Sequence, residues 1–131
     1  MLPRAFSDVP ANRLLGFELR ASGADGAVVA FVPRVEQTQE YGVVHGGILS
    51  ALADTAAVYT LLPGLATEER MTSVEFKVNF LAAAWPEKGE LVATATVIKK
   101  GRTLTVVQSD VRQGEVHVLT GVFTYMILVP A

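Results

Sequence analysis

The chain contains no cysteine among its 131 residues. That absence excludes disulfide bonds, thiolate metal ligands and a cysteine nucleophile, and it favours a reduced compartment. A basic surface is lacking as well, because 11 lysines and arginines stand against 13 aspartates and glutamates, for a net charge of −2. A nucleic-acid-binding surface needs dense positive charge, so nucleic-acid binding is not expected.

Several catalytic and targeting motifs are also missing. The sequence has no Gly-x-Ser-x-Gly elbow, no His-Glu-x-x-His zinc motif and no glycine-rich phosphate loop after a strand. We therefore predict neither a metal site nor a bound cofactor. The N-terminal stretch 1–16 lacks the continuous apolar core of a signal peptide, and the longest apolar run carries an aspartate. We expect a soluble, cytoplasmic protein with no membrane span.

One apolar run, residues 46–62, organises the rest of the sequence. It is rich in alanine and leucine and has no proline, lysine or arginine, which predicts one helix roughly 25 Å long. Apolar residues cover nearly its whole circumference, so we expect burial on all sides. Asp54 in its middle is a candidate functional residue, since a buried carboxylate is costly unless it is paired or lines a cleft. The alternative is an aspartate satisfied by the hydroxyls of Ser50 or Thr55.

Strand patterns lie on both sides of this helix. The stretch 73–81 alternates polar and apolar residues and is predicted to be a half-buried strand. Short turns between consecutive strands favour an antiparallel sheet, so the expected class is α+β, one domain over residues 1–131 with the sheet wrapped around the helix. Small residues in the strands would allow close approach of sheet and helix: Ala93, Thr94, Ala95, Thr96 and Gly121. The other predicted elements are a loop with at most a short helix at 3–13 and strands at 14–21, 27–34, 91–99, 103–112 and 116–128.

The start of the helix carries a recognisable motif, Gly42-x-x-His45-Gly46-Gly47, followed nine residues after the histidine by Asp54. With the order of helix and strands, it resembles the hotdog fold, and more narrowly the acyl-CoA thioesterases of the phenylacetic-acid-degradation type. The resemblance covers residues 13–127. One departure is Gln39. Many members of that family have asparagine at this position, whereas related aryl-CoA thioesterases of the same fold have glutamine, as this chain does.

The resemblance implies roles for individual residues. Asp54 would be the nucleophile or the general base, Gln39 would orient the water or the thioester, and His45 would brace the turn or contact substrate. Ser73, or else Thr72, would place a hydroxyl near the carboxylate. Basic residues beside a glycine turn could meet the phosphates of coenzyme A, although a charged hairpin tip is often only solvated; they are Lys99, Lys100 and Arg102.

Two points follow from elementary geometry. A helix N-terminus presents unpaired N–H groups, and glycine at 46 and 47 allows close approach, so the Gly46 N–H could stabilise an oxyanion and Gly47 could contact substrate. Asp54 lies eight residues beyond Gly46, about 12 Å along the helix. One thioester carbon cannot touch both, so we expect a site shared across a homodimer, with a tetramer as the assembly. The apolar half of the composition supports a subunit interface.

Three functions stay open at this point. The first is hydrolysis of an aryl- or medium-chain acyl-CoA. The second is a hydratase or dehydratase of the same fold, with Glu40 and His45 as a carboxylate–histidine pair. The third is a non-catalytic acyl-CoA-binding or regulatory protein, against which the presence of Asp54 argues.

Overall fold

The computed structural model describes residues 5–129, so the predictions for residues 1–4 and 130–131 lie outside the described part. Its two α-helices and six strands occur in the order α1, β1, β2, α2, β3, β4, β5, β6, and four short 3-10 segments connect them. Their bounds are α1 Pro10–Leu15, β1 Glu18–Gly23, β2 Gly26–Phe31, α2 Gly46–Leu61, β3 Arg70–Phe80, β4 Leu91–Lys100, β5 Leu104–Gln113 and β6 Val116–Leu128.

All six strands form one sheet in the order β1-β2-β4-β5-β6-β3. Every pair of neighbours is antiparallel. Helix α2 packs against this sheet, mainly on β2, β4 and β5. The α+β architecture predicted from the sequence, a sheet around one long helix, is confirmed.

The interface between helix and sheet is built from small side chains. Ala53, Ala56 and Ala57 of α2 are fully buried, as are Ala93 and Ala95 of β4. Larger apolar side chains close the core around them: Leu52, Leu91, Val107, Val111, Leu119 and Phe123. Part of the small-residue prediction is wrong, however. Strand side chains alternate between faces, so Thr94 and Thr96 lie on the exposed outer face of the sheet.

Helix α2 is buried on one side only. Residues facing the sheet are buried, but Gly47 is exposed and Ser50, Ala51, Asp54 and Val58 are partly exposed. The prediction of burial on all sides is therefore wrong for a single chain. The segment Gly46–Gly64 is long and apolar enough to cross a membrane, but half of it is buried inside the fold, as in the core helix of a globular domain.

Strand β3 forms an apolar edge of the sheet. It pairs with β6 alone, over 11 residues, with a bulge at Val74. Phe76 and Phe80 are 51% and 55% exposed, and Leu81 just beyond the strand is 52% exposed. The alternation in the sequence predicted a half-buried strand. That prediction is wrong for the isolated chain, because no element within residues 5–129 covers the edge.

The N-terminal region differs from the predicted strand at 14–21. Pro10 begins helix α1, which continues to Leu15, and Gly16 ends it with φ of 75°. Proline is well tolerated in the first helical turn and glycine readily adopts the left-handed conformation at a helix end. Strand β1 therefore starts only at Glu18. The predicted short helix within 3–13 is confirmed as far as the described residues reach.

Candidate active site

The N-terminus of α2 presents one free backbone N–H. His45 caps the helix, and its Nδ1 accepts a hydrogen bond of 2.9 Å from the Gly47 N–H. The Gly47 N–H is thus already engaged. Within the described residues no acceptor bonds the Gly46 N–H. Of the two glycine donors, Gly46 is the one available to a ligand.

Glycine at position 46 also has a packing reason. A Cβ atom built there would lie 3.1 Å from Cζ and 3.2 Å from Cε1 of Phe80. Phe80 stands at the end of β3, so its ring borders the helix N-terminus. A larger residue would push that ring aside and narrow the approach to the free N–H.

An open, apolar cleft of about 390 Å³ lies at this end of the helix. Gln39 and Gly46 line it together with Val43, Val44, Leu49, Phe80, Leu81, Ala82, Ala83 and Ala84. Gln39 sits in a tight turn, where its Oε1 accepts a hydrogen bond from the Tyr41 N–H and its backbone N–H donates to the carbonyl of Val43 at 2.9 Å. The cleft thus brings Gln39 together with Gly46 of the helix-start motif, and His45 adjoins them as the residue before Gly46.

Asp54 is half-buried and has a partner that the sequence analysis did not identify. The phenol of Tyr125, on the inner face of β6, donates a hydrogen bond of 2.5 Å to Asp54 Oδ1. Burial raises the pKa of Asp54, and the bond from Tyr125 opposes that shift. The suggested hydroxyl partners are wrong, because Ser50 donates to the carbonyl of Gly46 and Thr55 to that of Ala51.

The register of β3 separates Ser73 from Thr72. Ser73 is the cross-strand partner of Tyr125, while Thr72 is paired with Met126. Cross-strand partners lie on the same face of a sheet, so Ser73 shares the face of the Tyr125–Asp54 pair and Thr72 lies on the other face. The register therefore favours Ser73 over Thr72 as the candidate hydroxyl, and its proximity to the carboxylate stays a prediction.

The basic hairpin lies near the other end of α2. Lys100 and Arg102 line a small cavity of about 60 Å³ with Leu61 at the helix end and Glu69 beyond it. Lys99, on the same hairpin, is exposed and is not part of that lining. Lys100 and Arg102 thus lie near the C-terminal end of α2, which is closer along the helix to Asp54 than to Gly46.

Gly46 and Asp54 do not meet within one chain. They are separated by two turns of the same helix, about 12 Å, and the apolar cleft that includes Gly46 does not include Asp54. Asp54, Tyr125 and Ser73 form one half of a candidate site, and Gln39, His45 and Gly46 form the other.

Comparison with known proteins places the chain in a family. The sequence pattern of the thioesterase superfamily matches residues 41–120. The chain belongs to the thioesterase superfamily. The match contains both halves of the site except Gln39 and Tyr125.

Individual proteins similar to this superfamily member are also named as esterases or thioesterases. A Haemophilus influenzae protein named as an esterase is 37% identical over 102 residues, covering 77% of this chain and 72% of that protein. Human acyl-coenzyme A thioesterase 13 is 32% identical over 101 residues, covering 76% of this chain and 70% of its own. The crystal structure of a Haemophilus influenzae thioesterase superposes with a TM-score of 0.86 at 26% identity, over 94% of this chain and 85% of the other. The hotdog fold and the prediction of a thioester hydrolase are confirmed.

A larger cleft of this superfamily member is remote from the site. It measures about 490 Å³ and is lined by Lys88, Glu90, Val92, Thr94, Asp110, Arg112 and Gly114. Its strand residues, Val92, Thr94, Asp110 and Arg112, lie on the outer face of the sheet, away from α2. Next to it, His117 Nε2 lies 2.9 Å from Asp110 Oδ1. We assign the chemistry to the smaller cleft because it contains the free N–H.

Metal binding has no evident location in this part of the chain. Residues 5–129 contain no group of three or more histidine, aspartate or glutamate side chains placed to hold an ion. His45 and His117 lie in separate parts of the fold, and each is engaged by a protein partner.

Proposed function

We propose that the chain hydrolyses an acyl-CoA thioester to a free acid and coenzyme A, at a site that two copies of the chain build together. The proposal depends on one observation: α2 carries two functional groups at separate positions along its length. The helix presents a free N–H at Gly46 in an apolar cleft, and a half-buried carboxylate at Asp54 two turns later. These are the two groups that thioester hydrolysis needs.

The Gly46 N–H would bind the thioester carbonyl oxygen. As the carbonyl carbon is attacked, negative charge develops on that oxygen, and a fixed donor at the positive end of a helix stabilises it. One donor of this kind contributes about 3 kcal/mol to transition-state stabilisation. His45 supports this role indirectly, because its bond to the Gly47 N–H fixes the first turn of the helix.

Asp54 would supply the attack. As general base it takes a proton from water, the water oxygen bonds to the carbonyl carbon, and the carbon–sulfur bond breaks to leave coenzyme A thiolate, which takes up a proton. As nucleophile it bonds to the carbonyl carbon itself, expels the thiolate and forms an anhydride that water then cleaves. Both routes give one acid and one thiol from one thioester and one water.

The exposed faces of the chain favour a symmetric dimer. The β3 edge offers unpaired backbone groups and the apolar side chains of Phe76 and Phe80, a surface that another strand would cover. Two-fold pairing of β3 with its copy would set the two α2 helices antiparallel beside each other. Gly46 of one chain would then approach Asp54 of the other. A tetramer built from two such dimers is the proposed assembly.

The cleft favours a limited acyl group. Its volume of about 390 Å³ is at the lower end of the usual range for ligand sites, and alanine, leucine and phenylalanine side chains dominate its lining. We therefore propose an aryl or medium-chain acyl group, phenylacetyl-like or hydroxybenzoyl-like. The cytoplasmic location expected from the sequence stays a separate proposal. Lys100 and Arg102, with Lys99 nearby, would meet the phosphates of coenzyme A beyond Asp54.

The hydratase alternative loses its support in the structure. That function needed Glu40 and His45 as a pair, but Glu40 is exposed and the His45 ring bonds the Gly47 N–H instead. A non-catalytic ligand-binding protein would have no need for a half-buried carboxylate, whose burial is costly.

The test is release of free thiol from a panel of acyl-CoAs by the purified wild-type protein, with Asp54→Asn as the inactive variant and Glu40→Gln as the matched carboxylate control. We expect hydrolysis by the wild type and by Glu40→Gln, and loss in Asp54→Asn without loss of fold. Wild-type turnover by Asp54→Asn would refute the role of Asp54, and hydration of an enoyl-CoA without thiol release would favour the alternative.

A further inference from the structure

Tyr125 has no role in the function described so far, yet its hydroxyl group makes the closest contact to Asp54. Its side chain is 1% exposed. The phenol oxygen lies 2.5 Å from Asp54 Oδ1 and 3.3 Å from the backbone carbonyl of Asp54. A phenol has one proton to donate, so the shorter contact to the carboxylate takes it.

The phenol is fixed as a donor. Burial and the neighbouring carboxylate raise the pKa of Tyr125 far above its ordinary value, so it stays protonated at every working pH. Its ring is held on the inner face of β6, two residues beyond the buried Phe123. Both ends of the hydrogen bond are therefore positioned by the core rather than by flexible surface side chains.

We propose that Tyr125 is a positioning residue for the proposed hydrolysis: its bond to Oδ1 fixes the rotamer of Asp54 and leaves Oδ2 as the oxygen that meets water or the thioester carbon. The inference rests on the proposed function. Within residues 5–129, Oδ2 has no hydrogen-bond donor. One oxygen of the carboxylate is held and the other is free.

In the part of the chain that the structure describes, residues 5–129, no charged group competes with Tyr125 for the carboxylate. The buried side chains on the inner faces of β2, β4 and β5 are apolar, apart from the hydroxyls of Thr105 and Ser109 and the neutral amide of Gln113. That amide bonds the backbone of Trp85 and Gly89 instead of the carboxylate. On β1, Arg20 pairs with Glu90 at the surface. On β3, Arg70 bonds backbone carbonyls of its own loop. Among the groups described, only burial and the Tyr125 bond shift the pKa of Asp54.

The experiment compares Tyr125→Phe, which removes one oxygen atom, with Tyr59→Phe as the matched control. Tyr59 lies on α2, where its ring packs on Phe6 at a centroid distance of 4.7 Å. For Tyr125→Phe we expect kcat to fall roughly tenfold to a hundredfold, the range for a hydrogen bond to a charged group, with KM unchanged. The acidic limb of the pH–rate profile should move to higher pH, because Asp54 loses the donor that favours its ionised form. Tyr59→Phe should match the wild type in all three.

Two kinetic outcomes overturn the inference while the proposed function stands. One is Tyr125→Phe with wild-type kcat and an unmoved acidic limb. The other is a loss of kcat with an unmoved limb and a lowered melting temperature, which would mean that Tyr125 acts only through stability.

A measurement that does not need activity separates this inference from the proposed function. The Asp54 carboxyl carbon is titrated by NMR, and its pKa should be higher in Tyr125→Phe than in the wild type; equal values overturn the inference. If Tyr125→Phe does not fold, the hydrogen bond is tested instead by NMR of the Tyr125 hydroxyl proton in the wild type. A slowly exchanging Tyr125 hydroxyl proton that shifts in Asp54→Asn supports the bond, and the lack of such a proton refutes it. Absence of hydrolysis by the wild type would refute the proposed function alone.

Discussion

Replacing Phe76 with alanine should weaken the proposed dimer as well as the fold of one chain. The ring of Phe76 is divided between two environments. One half packs on Phe123, with ring centroids 5.2 Å apart, and the other half is exposed on the edge strand. If a second copy pairs with β3, that exposed half becomes part of the dimer interface.

The magnitude follows from the exposed area. A phenylalanine side chain can bury roughly 150–250 Å², and 51% of Phe76 is exposed in the single chain. About 100 Å² per ring is thus left for the partner, which at about 25 cal/mol per Å² amounts to about 2.5 kcal/mol. A two-fold interface contains the ring twice, about 5 kcal/mol in all. The dimer dissociation constant should rise by up to about 3.5 powers of ten.

The assay is sedimentation equilibrium together with activity as a function of protein concentration. Phe76→Ala should dissociate and lose activity on dilution, then regain activity as concentration rises, because both halves of the site are intact in each chain. Leu14→Ala is the control, since Leu14 is 74% exposed on α1 and distant from β3. Circular dichroism checks the fold of each variant. An unchanged dissociation constant in well-folded Phe76→Ala would refute pairing through this edge.

Further predictions concern the carboxylate, the acyl group and the oxyanion donor. Burial raises the folded-state pKa of Asp54 above its ordinary value of 3.8, so the folded state holds that proton more tightly than the unfolded state does. The free energy of unfolding therefore falls as pH rises from 3.8 through the folded-state pKa of Asp54. Asp54→Asn should raise the free energy of unfolding at neutral pH, and this gain should disappear in acid. Chemical denaturation at several pH values measures the effect, and a variant less stable than the wild type at pH 7 would contradict it. In a substrate series, kcat/KM should be highest for aryl- or medium-chain acyl-CoAs, and a strong preference for palmitoyl-CoA would count against the assigned cleft. Gly46→Ala keeps the N–H but places a Cβ 3.1 Å from Phe80, so it should raise KM while retaining a measurable kcat; complete inactivity would mean that the first turn tolerates no side chain.

Much of the fold could be predicted from the sequence because its signals are local. Alanine- and leucine-rich residues without proline define α2, and Pro63 follows its end at Leu61. The last strand was predicted with the bounds observed, Val116–Leu128. The first strand was not, because Leu14 and Leu15 fit a strand and a helix end equally well; Pro10 and Gly16 decide for the helix.

The two errors in predicted burial, on β3 and on α2, have a common physical cause. Alternation of polar and apolar residues shows which strand face is apolar, but not whether another element of the same chain covers it. Phe76 and Phe80 are therefore apolar as predicted and exposed all the same. The same holds for the partly exposed side of α2.

The motif at the helix start and Asp54 were found from the sequence because glycine pairs and carboxylates are unusual in an apolar run. Tyr125 was missed because it lies 71 positions from Asp54 in the sequence. Their contact depends on how β6 is placed against α2, which local patterns do not predict. A signal was available: Tyr125 has the same parity as the buried Phe123 and Gly121, and a phenol on a buried face needs a partner.

The shared site itself is tested most directly by combining two inactive variants. Asp54→Asn removes the carboxylate, and Gly46→Pro removes the N–H. The backbone tolerates proline here, because this is the first residue of α2 and His45 before it has φ −59° and ψ 132°, an extended conformation that a residue preceding proline can adopt. The proline Cβ would displace the ring of Phe80, but only at the half-site that already lacks the donor. With each protein confirmed to be folded, the account predicts that each variant alone is inactive. Their mixed dimer should recover up to about half of the wild-type activity, because one of its two sites then has both groups intact. Folded mixed dimers that remain inactive would contradict the account.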